Sequence, residues 1–296
     1  RGVQHNSANN GIVAPEIKIT DTNFSASGVQ LYLSGVKKGK MTVEDMFSKT
    51  SFDSGQLISF RNFEKDMDDI YTLIIAAIDK SGNETQKRMT FSVNRNGSTY
   101  MISDDLQKLI NGGFTNSPTD IIVKEINADT LEFTELTCSR VGKLIKMKEG
   151  VDYTVKSEGG SRRWKTYMYT IKAACFDEEG TYYINIYSED RAKNISTNGV
   201  KGKSIEFTVD WTPPTMAVSD LEHRGRYREA VHTFTLSVKD NAKLAYAEMY
   251  SDGRLVHTYK QDELMAKDGT IKLNVDSKED YQTIRLIAYD AAGNAS

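Results

Sequence analysis

Three stretches of the chain repeat one pattern: YTLIIAAIDKSGN at residues 71–83, YYINIYSEDRAKN at 182–194 and QTIRLIAYDAAGN at 282–294. Alternate residues in the first part of each stretch are apolar or small, as in a β-strand that buries one face. Each stretch ends in an Asp-x-x-Gly-Asn turn, with Lys193 in place of the glycine in the middle copy. In such a turn, Asp bonds to nearby backbone, and Gly or Asn takes a positive φ. A strand and turn that recur about every 100 residues predict three copies of one domain.

The alignment of the three copies assigns equivalent residues. The inward positions are Leu73, Ile75 and Ala77 in the first copy, Ile184, Ile186 and Ser188 in the second, and Ile284, Leu286 and Ala288 in the third. The turn residues are Asp79 and Asn83, Asp190 and Asn194, and Asp290 and Asn294, which we interpret as structural. In the first two copies a further strand follows, at 89–93 and 205–209, and completes a hairpin. The sequence stops at Ser296, so we expect the third domain to lack its last strand.

The prolines mark strand entrances. Pro15, Pro118, Pro213 and Pro214 stand before runs that alternate apolar and polar residues. Proline cannot donate a hydrogen bond to a sheet, so it favours strand entrances and linkers. The runs at 17–21, 121–125 and 216–220 are therefore predicted to be the first strands of three domains.

These signals divide the chain into residues 1–13, a linker from a preceding module, 14–96, the first domain, 97–210, the second, and 211–296, the third. The second domain is expected to carry a short helical insertion at its N-terminus, because Ser103 is a capping residue and Gly112 a helix stop. The sequence starts at Arg1 and not at Met, so we expect a fragment of a longer protein. Few contacts are expected across the boundaries near Asn96 and Trp211, in an elongated array.

Composition argues against some classes of function. The 296 residues carry 38 Lys and Arg against 41 Asp and Glu, a net charge of -3. Binding to nucleic-acid phosphates depends on clustered Lys and Arg, so no nucleic-acid partner is predicted. The longest apolar run, from Leu73 to Ile78, is far shorter than the roughly 20 residues of a membrane-spanning helix.

A motif at the second boundary resembles a known family. The second closing strand leads to Phe207-x-Val209-Asp210 and then to Thr212-Pro213-Pro214 before a new strand. Together with the repeated turns, this motif resembles tandem bacterial immunoglobulin-like domains of large Gram-positive surface or secreted proteins. The resemblance implies an all-β chain of three tandem immunoglobulin-like β-sandwiches. It also implies an extracellular protein that is anchored to the cell wall or secreted.

The resemblance further implies a tyrosine corner, in which a tyrosine hydroxyl bonds to the turn before the closing strand. Tyr71 and Tyr182 occupy this position in the first two copies. Gln282 occupies it in the third copy, and Tyr281 lies one residue earlier. A tyrosine corner is therefore expected in two of the three domains.

No catalytic, metal or cofactor site is predicted. The 4 histidines lack metal-site spacing, and the sequence has no nucleophile elbow or phosphate-binding loop. The repeated turns offer side-chain oxygens for calcium at a domain joint, but calcium takes about six to eight ligands and each turn supplies only its Asp and Asn. Backbone capping explains these residues without a metal. The chain is therefore interpreted as non-catalytic.

One loop is a candidate ligand site. Arg162, Arg163 and Trp164 combine cationic and aromatic groups, which suit an anionic polymer or a sugar ring. The alternative is a hairpin loop that leads into a strand whose aromatic residues pack inside the sandwich. The cysteines, Cys138 and Cys175, are interpreted as buried free thiols, with a disulfide as the alternative.

Two functions follow from this sequence. The first is a stalk or spacer that holds another module away from the cell surface, which requires only rigid domains and short joints. The second is adhesion through the central domain, with a host glycan or extracellular protein as partner. A monomer is expected in both cases.

Overall fold

The computed structural model describes residues 2–160, 162–266, 270–276 and 281–296. These residues form three β-sandwiches in tandem, so the all-β fold class predicted from the sequence is confirmed. Short 3-10 turns lie at Ala26–Gly28, Lys65–Met67 and Ala173–Cys175. Among the described residues, no helix has the length and apolar character needed to span a membrane.

The first sandwich is built from two sheets. Its described strands are β1 (Glu16–Thr20), β2 (Val29–Gly35), β3 (Gly39–Met41), β4 (Phe47–Phe52), β5 (Gly55–Phe60), β6 (Asp69–Ile78) and β7 (Glu84–Val93). One sheet has the order β1-β5-β4 and the other β3-β2-β6-β7. In immunoglobulin lettering these are B-E-D and C′-C-F-G, so the repeated stretch contains strand F and β7 is strand G.

The second sandwich has the most complete set of strands. Its elements are β8 (Thr99–Ile102), α1 (Asp104–Ile110), β9 (Asn111–Thr115), β10 (Ile121–Asn127), β11 (Leu131–Arg140), β12 (Lys143–Lys146), β13 (Tyr153–Glu158), β14 (Lys165–Ile171), β15 (Gly180–Asp190), β16 (Ile195–Thr197) and β17 (Ile205–Val209). The sheets are β13-β14-β10-β8 and β12-β11-β15-β17-β9, with β16 beside β15. These orders correspond to D-E-B-A and C′-C-F-G-A′.

The third sandwich has shorter sheets. Its described elements are β18 (Thr215–Ser219), β19 (Val231–Lys239), β20 (Leu244–Ser251), β21 (Arg254–Lys260), α2 (Gln261–Met265), β22 (Thr270–Asp276) and β23 (Ile284–Asp290). The sheets are β18-β19-β22, or A-B-E, and β21-β20-β23, or C′-C-F. Ser296 and Ala288 exchange two backbone hydrogen bonds of 2.9 and 3.0 Å, where strand G begins in the other sandwiches. The edge of β23 from Ile284 to Ile287 has no strand partner among the described residues.

The N-terminal segment corrects the linker predicted at residues 1–13. Ser7 forms a parallel bridge with Phe91 of β7, and the backbone of Asn94 donates a 2.8 Å hydrogen bond to Asn9. Val13 is fully buried in the core of the first sandwich. Residues 2–13 therefore take the place of strand A′ beside strand G. The sequence does not reveal this strand because backbone hydrogen bonds hold it, and these require no particular side-chain pattern.

The segment predicted as a helical insertion is also part of its sandwich. β8 pairs with β10, and β9 pairs in parallel with β17, so they are strands A and A′. The helix α1 follows Ser103 and connects them. The runs after Pro15 and Pro118 are consequently strand B, whereas the run after Pro214 is strand A. Each proline marks a strand entrance, but not the same strand in every domain.

One aromatic arrangement recurs in the cores of the first two sandwiches. Tyr71 stacks on Phe91 with ring centroids 5.8 Å apart, and Tyr182 stacks on Phe207 at 5.6 Å. A phenylalanine meets each tyrosine edge-on, Phe63 at 4.8 Å from Tyr71 in the first case. Such pairs contribute about 0.5 to 1.5 kcal/mol beyond the burial of their area. They fix strands F and G against the rest of each core.

Candidate functional sites at the domain joints

The tyrosines of the predicted corners are buried, and their hydroxyls bond to backbone. The Tyr71 hydroxyl donates to the carbonyl of Met67 at 2.6 Å, and the Tyr182 hydroxyl donates to Glu178 at 2.8 Å. Burial raises the pKa of both phenols. In the third sandwich, the Gln282 side chain donates to the carbonyl of Asp276 at 2.8 Å and so ties the strand to upstream backbone.

The repeated Asp-Asn turns have the same internal geometry in all three copies. The backbone N–H of the Asn donates to the Asp carboxylate at 2.8 Å in Asn83, 2.9 Å in Asn194 and 2.8 Å in Asn294. Hydrogen bonds from Asn83 hold the pKa of Asp79 below its usual value. The turns thus cap themselves, which is the role that the sequence indicates.

In two of the copies the turn also contacts the preceding domain. The side-chain amide of Asn194 donates to the backbone carbonyl of Asn94 at 2.7 Å, and that of Asn294 donates to the carbonyl of Asp210 at 2.9 Å. Asn94 and Asp210 each directly follow strand G of their sandwich. The repeated asparagine is therefore a contact between domains as well as a turn residue, which the sequence does not indicate.

The first joint, between the first and second sandwiches, is centred on Asn94. Its side-chain amide lies 2.8 Å from Asn127 Oδ1, 3.0 Å from Asp129 Oδ2 and 2.9 Å from Asp190 Oδ2. Asn127 in turn donates to Asp190 Oδ2 at 3.0 Å. Both asparagines are fully buried. The prediction of few contacts across this boundary is wrong here, because these side chains form one buried polar network.

Asp129 extends this network into the first sandwich. The Ser92 hydroxyl lies 2.8 Å from each carboxylate oxygen of Asp129. Burial raises the pKa of Asp129, while the hydrogen bonds from Ser92 and Asn94 act in the opposite direction. The hydrogen bonds therefore compensate part of the cost of burying this carboxylate at the joint.

Trp164, predicted as a ligand-binding residue, also belongs to the first joint. Its indole N–H donates to Asp69 Oδ1 at 2.8 Å, and Lys37 Nζ lies 3.1 Å from the centre of its ring. Asp69 is fully buried and also accepts the backbone N–H groups of Lys37 and Lys38 at 2.8 Å. Burial lowers the pKa of Lys37. The half-buried tryptophan of the second sandwich is thus held by the first, whereas Arg162 and Arg163 remain exposed.

The strand that follows this loop turns its aromatic residues inward, as the alternative reading expected. Tyr169 is buried, and its hydroxyl donates to Glu125 Oε2 at 2.8 Å. Glu125 is fully buried and also accepts hydrogen bonds from Tyr100 and Ser188. The buried carboxyl group is thus surrounded by hydrogen-bond partners, as a buried polar group requires.

Cys138 and Cys175 are free thiols that line a common cavity of about 150 Å³. Burial raises the pKa of Cys138 to about 11 and also raises the pKa of Cys175. The structure therefore agrees with free thiols and not with a disulfide, but only Cys138 is buried as expected, whereas Cys175 is half-buried.

The second joint, between the second and third sandwiches, brings together Asp210, Asp240 and Asp290. One carboxylate oxygen of each lies within 4.8 Å of the others. Asp210 and Asp290 are 1% and 3% exposed. The repeated turn in the sequence indicates Asp290, but no sequence pattern indicates Asp240 or the role of Asp210. Asp210 directly follows strand G of the second sandwich, and Asp240 directly follows strand B of the third. These positions at the ends of strands were the only hint in the sequence that the two residues could meet.

Comparisons with known proteins give likenesses of fold alone. No protein-family model matches the chain, and no curated protein sequence matches it. Titin domains A168–A170 match at 12% identity and a TM-score of 0.41, covering 100% of this chain and 91% of that chain. A tetra-tandem repeat from the extending region of a large adhesion protein matches at 15% identity and a TM-score of 0.37, covering 95% of this chain and 67% of that chain. The fibronectin(III)-like modules of Clostridium thermocellum CbhA match at 12% identity and a TM-score of 0.32, covering 67% of this chain and 89% of that chain.

Proposed function

We propose that this chain is a non-catalytic spacer in a bacterial cell-surface or secreted protein, in which the three sandwiches form a stiff extended array. The observation that carries this proposal is the burial of both ends of the first connection, although Asn96 between them is exposed. Asn94 and Ser98 lie between strand G of the first sandwich and strand A of the second, and both are 0% exposed. A flexible linker would be solvated. The bacterial and extracellular setting rests on the sequence resemblance.

The contacts around this connection support a fixed angle between the first two domains. Three separate sets of contacts join the two domains. They are the polar network around Asn94, the hydrogen bond from Trp164 to Asp69, and a hydrogen bond from Arg191 to the backbone of Asn6. A hinge would break these contacts whenever it moved. A spacer benefits from the opposite property, because a fixed angle preserves the reach of the array.

Small-angle scattering tests the proposal directly. A compact globule of this length has a radius of gyration of about 19 Å. We expect a clearly larger value and a distance distribution typical of a rod. A variant with a Gly-Ser insertion between Arg95 and Asn96 is the matched control, and it should give a broader distribution. A compact particle, or no difference between the two chains, contradicts the proposal.

Adhesion through the second sandwich is the other candidate function, and one observation favours it. Phe133 is 47% exposed and meets Tyr187 edge-on, with ring centroids 5.9 Å apart, on the outer face of the C-F sheet. Tyr183, 48% exposed, lies on the same face. Glycan-array and matrix-protein binding by the chain and by Phe133→Ser distinguishes the two functions. Specific binding that the substitution removes supports adhesion, and no binding supports a spacer.

A further inference from the structure

The three carboxylates of the second joint, Asp210, Asp240 and Asp290, come from three separate segments. Asp210 follows strand G of the second sandwich, Asp240 follows strand B of the third, and Asp290 begins the repeated turn. Their carboxylate oxygens lie within 4.8 Å of one another. We call these residues the acidic triad. Like charges this close repel each other, and the buried Asp210 and Asp290 also lose solvation, so the arrangement favours a proton or a cation among the three carboxylates.

The hydrogen bonds of the triad leave oxygens free. Asp210 Oδ1 accepts from the backbone of Thr212 at 3.1 Å and from the Asn241 amide at 3.3 Å, and Asp240 Oδ2 accepts from the backbone of Ala242 at 2.8 Å. The second oxygens, Asp210 Oδ2 and Asp240 Oδ1, are buried and have no hydrogen-bond partner. A carboxylate oxygen that is buried without a donor is costly unless the group takes up a proton or coordinates a metal ion.

The first joint offers an internal comparison for each triad residue. Asn94 corresponds to Asp210, because both follow strand G and their backbone N–H groups donate to strand A′, at 2.8 Å to Asn9 and 3.0 Å to Thr115. Asn127 corresponds to Asp240, because each side chain accepts from the backbone N–H two residues later at 2.8 Å.

Asp190 corresponds to Asp290 by the repeated turn, so Asn-Asn-Asp in the first joint becomes Asp-Asp-Asp in the second.

The two joints therefore balance charge differently. In the first joint, the amides of Asn94 and Asn127 both donate to Asp190 Oδ2, at 2.9 and 3.0 Å. In the second joint, both amides are replaced by carboxylates, which donate nothing. The hydrogen-bond donors that Asn94 and Asn127 supply in the first joint are therefore missing at the equivalent positions of the second, where a bound cation could take their place.

We infer that Asp210, Asp240 and Asp290 bind a calcium ion at the second joint, and that the ion fastens the third sandwich to the second. Oxygen-only ligands select a hard cation, and oxygens at about 2.3 to 2.6 Å from Ca²⁺ lie up to about 5 Å apart. The ion would contact both domains, since Asp210 belongs to one and the other two residues to the next. The sequence predicted no metal because it counted the turn alone, whereas the fold adds Asp210 and Asp240. The site does not depend on the spacer role, and its failure would leave that proposal intact.

Calorimetric titration of the chelator-treated chain with CaCl₂ tests the inference. We expect one Ca²⁺ per chain, with a dissociation constant on the order of 10⁻⁴ to 10⁻³ M or tighter, as in extracellular calcium modules. Calcium should also raise the melting temperature of the third domain, while MgCl₂ at equal concentration should have little effect. No binding overturns the inference, and equal affinity for Mg²⁺ overturns the assignment to calcium.

Two variants locate the ion. Asp210→Asn with Asp240→Asn copies the Asn-Asn-Asp set of the first joint, so it should fold, lose calcium binding by at least about tenfold, and melt independently of calcium. Asn94→Ala is the control at the first joint and should retain binding. Terbium luminescence sensitised by Trp211, the neighbour of Asp210, gives a second readout and should disappear in the double variant. Unchanged binding in the double variant, or lost binding in Asn94→Ala, overturns the location.

Discussion

The side-chain amide of Asn194 donates a 2.7 Å hydrogen bond to the backbone carbonyl of Asn94, across the first joint. Asn194 ends the repeated turn of the second sandwich, and Asn94 follows the last strand of the first. A turn of one domain thus caps the final strand of its predecessor. Asn294 and Asp210 repeat the contact at 2.9 Å, so this one hydrogen bond recurs at both joints.

Asn194→Ala should weaken the first joint. It leaves the buried carbonyl of Asn94 without this donor, which costs about 1 to 3 kcal/mol. Urea unfolding of the chain and hydrogen exchange at residues 92–98 measure the effect. Asn83→Ala is the matched control, because the Asn83 side chain donates to Asp79 within its own exposed turn. Equal effects of the two substitutions would contradict a role between domains.

Tyr71→Phe and Tyr182→Phe should each destabilise their own sandwich by about 0.5 to 1.5 kcal/mol, because each loses the hydrogen bond from its hydroxyl to the backbone of the preceding turn. Urea unfolding measures the change in the free energy of unfolding. Tyr32→Phe is the control, since Tyr32 is 48% exposed and should change stability by less than about 0.5 kcal/mol. Unchanged stability in either corner variant would count against the corner.

Trp164→Phe should loosen the first joint without unfolding either domain. The variant keeps an aromatic ring for Lys37 but loses the indole N–H that donates to Asp69. The backbone amides of Lys37 and Lys38, which also donate to Asp69, should then exchange faster with solvent. Arg163→Ala, at an exposed neighbouring position, should leave the exchange unchanged. Identical exchange in Trp164→Phe and the native chain would show that Trp164 does not fasten the joint.

Glu125→Leu should destabilise the second sandwich by more than about 3 kcal/mol, because Tyr100, Tyr169 and Ser188 lose their buried acceptor. Glu125→Gln keeps one acceptor oxygen and should cost much less. Thermal and urea unfolding compare the two variants. A reversed order would contradict the hydrogen-bond network around Glu125.

Alkylation of Cys138 should depend steeply on pH. The thiolate is the reactive form, and burial raises the pKa of Cys138 to about 11, so reaction with iodoacetamide should be slow near pH 8 and accelerate up to about pH 11. The folded state holds the thiol proton more tightly than the unfolded state. This contribution to stability is therefore present below the unfolded pKa and is lost as pH rises toward 11. In urea, Cys138 and Cys175 should both react quickly, and mass spectrometry should find two modified thiols on a chain that lacks a disulfide. Fast reaction of native Cys138 at pH 8 would contradict its burial.

The sequence predicted the strands that bury one face. Leu73 and Ile75 alternate with half-buried residues, and the Asp79–Asn83 turn follows from its own residues. Strand A′ of the first sandwich escaped prediction because residues 2–13 show no alternation and are held chiefly by backbone hydrogen bonds. The contacts at the domain joints were not predicted for a different reason. Asn94 and Asp190 are separated by 96 positions, and only the folded chain shows that they meet.

The parallel pairing of β9 with β17 determines how the second sandwich carries tension. Strand A′ lies near the start of the domain, and strand G lies at its end. Because the two strands are parallel, the N-terminal end of strand A′ and the C-terminal end of strand G lie at opposite ends of the pair. A pull along the array therefore slides one strand along the other and loads their hydrogen bonds together, instead of opening them one after another. The Ser7–Phe91 bridge places the first sandwich under the same shear. Its N-terminal segment is therefore the part of that domain that bears mechanical load first.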